Sequence, residues 1–167
     1  MKSLVSMLIS VLLAVVFLTS MCQTTHAACS AGEVEVTIEV VTDTYGYECY
    51  WELVPSASPC GTGTIFAGGN LTVGCSGGCL QAQDPSGYAN NSTITEGPWC
   101  LPLANNYDIV SVDDWGDGGT TFNVYMDGAL TNTFTASAVC TETFTFTTTS
   151  APNNNLTMSA GFYNTSS

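Results

Sequence analysis

Polar and apolar residues alternate along much of the chain, and this alternation predicts β-strands. In residues 33–42, valine or isoleucine occupies every second position, and Glu or Thr fills most of the positions between. A period of two residues places one set of side chains on each face of a strand. Residues 141–148 alternate in the same way, so that Phe144 and Phe146 share one face and threonines the other. No helical periodicity is found after residue 28.

Further strands are predicted at residues 47–53, 64–67, 71–73, 99–103, 107–112, 121–126 and 129–135, and residues 75–88 are predicted to be a loop. Asp127-Gly128 lies between two alternating runs. This dipeptide is typical of a type I′ hairpin, since both turn positions need a positive φ. Short strands separated by turn signals predict an all-β fold, namely a single-domain antiparallel β-sandwich of the jelly-roll type.

An apolar run at residues 4–18 follows Lys2. Its length suits a signal peptide and falls short of the roughly 20 residues of a membrane-spanning helix. We expect cleavage after Ala27, with Cys22-Gln23 as a second candidate site. An uncleaved anchor is disfavoured because no basic stop-transfer cluster follows. The predicted organisation is a signal peptide at 1–27, a sandwich domain at 28–150 and an Asn-rich tail at 151–167, in a secreted protein with no membrane span after cleavage.

Cleavage after Ala27 would remove every basic side chain. The chain has one Lys or Arg, Lys2, and one His, His26, whereas its fourteen acidic residues run from Glu33 to Glu142. The remaining side-chain charge is about −14 at neutral pH. Such a chain lacks the cations that nucleic acids and anionic membranes attract. It also lacks the groups used in Ser-His catalysis, Schiff-base chemistry and phosphate clamping.

We therefore expect that the protein is not an enzyme. A carboxylate-based glycosidase is the least favoured alternative. Glu33, Glu35 and Glu39 share a strand face and could supply an acid–base pair, but such a face more often serves solubility and edge protection.

The cysteine count after the leader is odd. In an exported chain these cysteines predict disulfides, with one thiol free, paired with another chain, or paired with Cys22 if cleavage falls earlier. The candidate disulfide residues are Cys29, Cys49, Cys60, Cys75, Cys79, Cys100 and Cys140. Five Asn-x-Ser/Thr sequons make glycosylation a further expectation. They begin at Asn70, Asn90, Asn91, Asn155 and Asn164.

Two acidic corners share a pattern of Asp, then an aromatic residue two positions on, then Gly. The first follows Val41-Thr42 and the second follows Ser111-Val112. Calcium takes six to eight oxygens from carboxylates and carbonyls, and glycines allow the chain to fold tightly around an ion. An Asp that caps its own turn is the structural alternative. The density of acids favours calcium, and the candidate ligands are Asp43, Glu48, Asp113, Asp114 and Asp117.

These corners, with Trp51-Glu52-Leu53 and Cys100-Leu101, resemble a CUB-like β-sandwich module of secreted and cell-surface proteins from marine bacteria and microbial eukaryotes. The residues that carry the resemblance at the corners are Asp43, Tyr45, Gly46, Glu48, Asp113, Gly116, Asp117 and Gly118. The resemblance implies a non-catalytic extracellular module with a calcium-binding corner. The module often stands beside peptidase or adhesion domains, and their absence here favours a stand-alone structural or adhesive role.

The leading hypothesis is an extracellular structural or adhesive protein with a calcium-stabilised sandwich, a self-assembling subunit of a surface coat or filament. Its partners would be its own copies or other cell-surface components. In residues 151–167 the sequence is either a disordered tail or a strand exchanged with a neighbour's sheet edge. The alternative function is a calcium-dependent carbohydrate-binding, lectin-like module. In that case Tyr45, Tyr47, Trp51, Trp99 and Trp115 could stack on sugar, although Trp51 and Trp99 are expected in the core.

Overall fold

The computed structural model describes residues 29–82 and 86–150. The predicted signal peptide and C-terminal tail lie outside these residues, as do Asn155 and Asn164. Eight strands are formed in the described chain, in the order β1 (Glu33–Val41), β2 (Cys49–Pro55), β3 (Phe66–Gly69), β4 (Thr93–Pro102), β5 (Asn106–Asp113), β6 (Thr121–Met126), β7 (Ala129–Thr135) and β8 (Thr141–Thr147). In this part of the chain no helix is long and apolar enough to cross a membrane.

The strands form two four-stranded antiparallel sheets, which confirms the predicted all-β sandwich. One sheet has the order β4-β1-β6-β7 and the other β3-β2-β5-β8. The connections β2–β3 and β6–β7 stay within a sheet, whereas the other connections cross between the sheets. In the β6–β7 hairpin, Asp127 has a φ of 48° and Gly128 a φ of 76°. Both values are positive, as the Asp-Gly signal predicted.

The core lies between the two sheets and is built from the inward faces of the alternating strands. Val34, Val36, Ile38 and Val40 of β1 are fully buried, as their period predicted. Trp51 lies at the centre of an aromatic group, with ring centroids 5.2 Å from Phe66, 5.6 Å from Phe122 and 6.5 Å from Trp99. Aromatic side chains bury large areas and so contribute much of the stability of a domain of this size.

The structure corrects two of the predicted strands. Residues 71–73 form a turn, because the Asn70 side chain accepts a hydrogen bond from the Thr72 N–H at 3.0 Å and the Asn70 carbonyl one from the Val73 N–H. A 3-10 helix at Gly74–Ser76 follows. β4 begins at Thr93, six residues before the predicted start at Trp99. The sequence pattern did not predict the first part of β4 because this strand contains Gly97-Pro98, and glycine and proline normally end strands.

Candidate functional site

Both acidic corners lie at one end of the sandwich because β2 and β5 are neighbours. In their register Cys49 is opposite Asp113, so the corner before β2 meets the corner after β5. The Asp114 N–H donates a hydrogen bond to the Glu48 carbonyl at 3.0 Å, which joins the two corners directly. A 3-10 helix at Gly46–Glu48 turns the Glu48 side chain into this junction, where it is buried.

Glu48, Asp113 and Asp117 form a carboxylate trio. One oxygen of each lies within 4.8 Å of the others. Oxygens bound to one calcium ion at about 2.3–2.6 Å are at most about 5 Å apart, so this spacing suits a single ion. Glu48 and Asp113 are buried and Asp117 is exposed. The trio therefore has two fixed members and one at the surface, through which an ion could enter.

Burial and mutual repulsion raise the pKa of Glu48 to about 7. Desolvation of the carboxyl group is the largest cause, and the negative charge of Asp117 is the next. The charges of Asp113 and Asp43 raise the pKa of Glu48 further, whereas a hydrogen bond with Tyr47 lowers it. The sequence supplies no Lys, Arg or His beyond residue 28 to neutralise these charges. A bound cation would stabilise the ionised trio.

Asp113 also holds its own turn. Its Oδ1 accepts hydrogen bonds from the N–H groups of Trp115 at 2.9 Å and Gly116 at 2.8 Å, and its Oδ2 accepts one from Gly118 at 2.7 Å. The capped turn that was the alternative to a metal site is thus present at this residue. It is compatible with a metal site, because the same bonds fix the direction in which the carboxylate faces Glu48 and Asp117.

The other two predicted ligands are not part of the trio. Asp43 accepts a hydrogen bond from the Tyr45 N–H at 2.8 Å and acts on Glu48 through its charge. Asp114 is buried, and its Oδ1 accepts a hydrogen bond from the Ala82 N–H at 2.9 Å. Of the five predicted ligands, three converge and these two hold the adjoining backbone.

Aromatic residues surround the opening of the trio. A pocket of about 210 Å³ is lined by Tyr45, Tyr47, Trp115, Glu48 and Asp117. Tyr45 is 48% exposed and Trp115 is 39% exposed. Burial and the neighbouring Glu48 raise the pKa of Tyr47. Trp51 is fully buried and Trp99 packs against the core, as predicted, and neither lines this pocket.

Six of the seven candidate cysteines form three disulfides, Cys29–Cys100, Cys60–Cys75 and Cys79–Cys140. The inclusion of Cys49 among the disulfide residues is wrong. Cys49 begins β2 inside the sandwich, where its thiol is free and buried. Burial raises the pKa of the Cys49 thiol to about 12. A thiol that is buried and protonated cannot cross-link folded copies.

One disulfide supports the site. The Cys79 N–H donates to the Asp113 carbonyl at 2.9 Å, and the Asp113 N–H donates to the Cys140 carbonyl at 3.0 Å. The Cys79–Cys140 bridge therefore brackets the backbone of a trio residue on both sides.

The structure also removes one candidate glycosylation site. Asn70 is buried, and its side-chain nitrogen, to which a sugar would be attached, donates to the Tyr47 carbonyl at 2.7 Å. The prediction at Asn70 is therefore wrong, because this fold leaves no room for a glycan there. Asn90 and Asn91 are exposed and stay predicted sites.

Sequence reasoning missed the role of two buried carboxylates on the outer face of the β3-β2-β5-β8 sheet. Glu52 accepts hydrogen bonds from the Tyr50 hydroxyl and the Gly61 N–H, and Asp108 accepts them from Ser56, Ala57 and Thr145. The available signal was an acid inside an apolar strand. Glu52 lies near Cys60 and Cys75, but these sulfurs are bonded to each other and are not thiolate ligands.

The described side chains therefore offer one open group of carboxylates, with exposed aromatic rings at its rim. The CUB-like resemblance remains a prediction. No protein family, characterised protein or solved structure matches this chain.

Proposed function

We propose that this is a secreted, non-enzymatic structural or adhesive protein with a calcium-stabilised β-sandwich, whose copies assemble into a surface coat or filament. The trio of Glu48, Asp113 and Asp117 carries the proposal, because three carboxylates converge within 4.8 Å without a basic partner in the sequence beyond residue 28. Carboxylate oxygens are the ligands that calcium prefers. The three disulfides support an oxidising, extracellular location.

Calcium would act by joining two turns that the sequence separates by more than sixty residues. Glu48 belongs to the corner before β2, and Asp113 and Asp117 belong to the corner after β5. A calcium ion bound by both corners would attract all three carboxylates and so offset the repulsion between them. An ion that binds only the folded state stabilises it by mass action, by about 2.7 kcal/mol at a concentration 100 times the Kd.

The test is the thermal midpoint of the secreted protein with chelator and with calcium. Extracellular sites bind calcium at roughly 10⁻⁴–10⁻³ M, so millimolar concentrations are needed. We expect calcium to raise the midpoint, and Glu48→Gln with Asp117→Asn to abolish the rise. Asp127→Asn is the matched control, since Asp127 lies in the β6–β7 hairpin and Asn also accepts a positive φ. Identical melting curves with chelator and calcium would contradict the proposal.

Asp113 is a poor choice for this test. Its two oxygens accept three backbone hydrogen bonds. An Asn at this position would place an amide N–H against one of those donors and disturb the turn even without an ion. Glu48 and Asp117 therefore separate metal binding from turn stability more clearly.

A second candidate function is calcium-dependent carbohydrate binding. The observation that favours it is the exposure of Tyr45 and Trp115 at the pocket beside Glu48 and Asp117. Apolar ring faces with a few converging polar groups are typical of a small-ligand site. We expect Trp115→Ala to abolish binding on a glycan array while the calcium effect on the melting point is kept. Absence of any calcium-dependent glycan signal would exclude this function.

A further inference from the structure

The two long sides of the sandwich differ in their free sheet edges. β7 and β8 end their sheets on the same side, where the rings of Phe134 and Phe144 stack with centroids 5.2 Å apart. β3 and β4 end the sheets on the opposite side, where Phe66 and Trp99 are 5.1 Å apart. Within residues 29–82 and 86–150, β7 pairs with β6 and β8 with β5, and their outer edges have no partner strand.

The side with β3 and β4 is poorly suited to strand addition. β3 has only four residues, two of which are glycines. β4 contains Pro98 and Pro102, which have no N–H to offer a neighbouring strand. A short strand and prolines are features by which natural proteins protect a sheet edge.

The side with β7 and β8 lacks such protection. Each strand has seven residues, and neither contains proline or glycine. Together they carry a single acidic residue, Glu142, whose carboxylate accepts hydrogen bonds from the N–H and the hydroxyl of Ser137. The core is also incompletely closed here, since Phe134 and Phe144 are only partly buried. This side therefore combines free backbone groups with apolar surface.

The sequence of residues 151–167 complements this edge. It contains no charged residue. After Pro152 and three asparagines, apolar and small polar residues alternate with the period of a strand. The apolar positions are Leu156, Met158, Ala160 and Phe162, and the positions between them are Thr157, Ser159 and Gly161.

We propose that residues 155–163 of one copy add as a fifth strand to the free edge of β8 in the next copy, with their apolar face extending the core beside Phe144. This proposal rests on the self-assembly in the proposed function and names the surfaces that would join. Backbone hydrogen bonds along an added strand supply affinity, and the alternating side chains supply specificity.

The end of the described chain favours exchange between copies. Thr148 is fully buried, and its N–H donates to the Asn105 carbonyl at 2.9 Å. The Thr149 N–H then lies 3.4 Å from the sulfur of Met126, which belongs to β6 in the opposite sheet. The chain therefore leaves β8 toward the other sheet and away from the free edge of β8.

Charge favours the same contact. Copies that each carry about −14 repel one another, and salt screens this only beyond about 8–10 Å. An uncharged segment against an edge that holds one already bonded acid brings no further carboxylates together.

Two variants of the full chain test which face of the added strand is buried. Leu156→Asp with Met158→Asp places two charges on the apolar face, and Thr157→Asp with Ser159→Asp places two on the opposite face. By analytical ultracentrifugation in calcium, we expect the parent and the second variant to assemble and the first to sediment as a monomer. If both variants assemble, or if neither does, this surface is wrong while the proposed self-assembly stands. A monomeric parent would overturn both.

Cross-linking distinguishes exchange from a tail that folds back on its own chain. Thr143 is exposed in β8 and lies on the face that Thr157 would share. A chain with Thr143→Cys mixed with a chain with Thr157→Cys should give a disulfide-linked pair of the two. A chain with both substitutions that links only within itself at every concentration would overturn exchange between copies. The mixing experiment is repeated in chelator, so that the result does not depend on calcium bound at the trio.

Discussion

Glu48 shows how one side chain can couple this fold to pH and to cations. It is 6% exposed and faces Asp113 and Asp117. Its folded pKa of about 7 lies above the ordinary value of 4.5, so the folded state binds a proton more tightly than the unfolded state does. The free energy of unfolding therefore falls as pH rises from about 4.5 to about 7, and this contribution stays lost at higher pH.

In the absence of calcium, we expect the thermal midpoint to fall between about pH 5 and pH 8, and Glu48→Gln to make this fall smaller. One pKa unit corresponds to about 1.4 kcal/mol, and solvent at the pocket opening reduces the effect. Above pH 7 the Gln variant should be the more stable protein. The measurement is calorimetry in chelator across this range, with Asp127→Asn as the control. Parallel curves for the parent and Glu48→Gln would contradict the prediction.

Cys49 gives a second prediction at the scale of one residue. Its thiol is buried, whereas the other described cysteines are paired. We expect an alkylating reagent to modify no thiol of the mature native protein and one thiol per chain after unfolding without reductant. Mass spectrometry reads out the count, and Cys49→Ala is the control that should show none in either state. Rapid labelling of the native protein would mean that β2 opens readily.

The turns that join the strands differ in how much they tolerate a side chain. Gly128 in the β6–β7 hairpin has a φ of 76° and open space where a Cβ would stand. Gly119 after β5 has a φ of 100°, and a Cβ there would overlap the carboxylate of Asp43. At Gly128, only the backbone conformation therefore opposes a side chain. At Gly119, contact with the Asp43 carboxylate opposes it as well.

We therefore expect Gly128→Ala to lower the free energy of unfolding by about 1 kcal/mol and Gly119→Ala to lower it by more. Denaturant unfolding measures both. Gly119→Ala should also weaken the calcium effect, because the displaced Asp43 borders the trio, whereas Gly128→Ala should leave it unchanged. Equal losses in the two variants would show that the contact with Asp43 relaxes without cost.

At the scale of the molecule, disulfides hold segments that the sheets do not. Cys29–Cys100 spans 71 residues and ties the start of the described chain to β4. Cys79–Cys140 spans 61 residues and ties a loop to the residue before β8, beside Asp113. Loops of these lengths correspond to about 4 kcal/mol each in the chain-entropy account.

Replacing either pair by alanines should lower stability by a similar amount but affect calcium differently. The Cys79/Cys140 double alanine variant should bind calcium more weakly, because the bridge brackets the Asp113 backbone. The Cys29/Cys100 variant should keep the parent affinity, which makes it the matched control. Isothermal titration with calcium below the melting point of each variant measures this. Equal affinities would show that the hydrogen bonds of the Asp113 turn suffice.

Much of the strand pattern follows from local sequence. The alternation in β1 and β8 and the Asp-Gly turn between β6 and β7 predicted those elements because their period and turn chemistry act over a few residues. The acidic corners were recognisable for the same reason. The turn at residues 71–73 was not, because Leu71 is exposed and the Asn70 side chain, held in place by Tyr47, outweighs a short apolar run.

The tertiary structure decided which of these residues meet. β2 and β5 are separated by some fifty residues, and only their pairing places Glu48 beside Asp113 and Asp117 and leaves Asp114 to bond Ala82. The same holds for the cysteines, because a count of seven leaves one unpaired and only packing buries Cys49. By itself the sequence determined most of the strands, the β6–β7 turn and an acidic chain without basic residues beyond residue 28, since these depend on neighbours along the chain. Which residues distant in sequence become neighbours depends on the order of strands in each sheet. Many strand orders are compatible with alternating patterns like these, and only the packing of the core selects one.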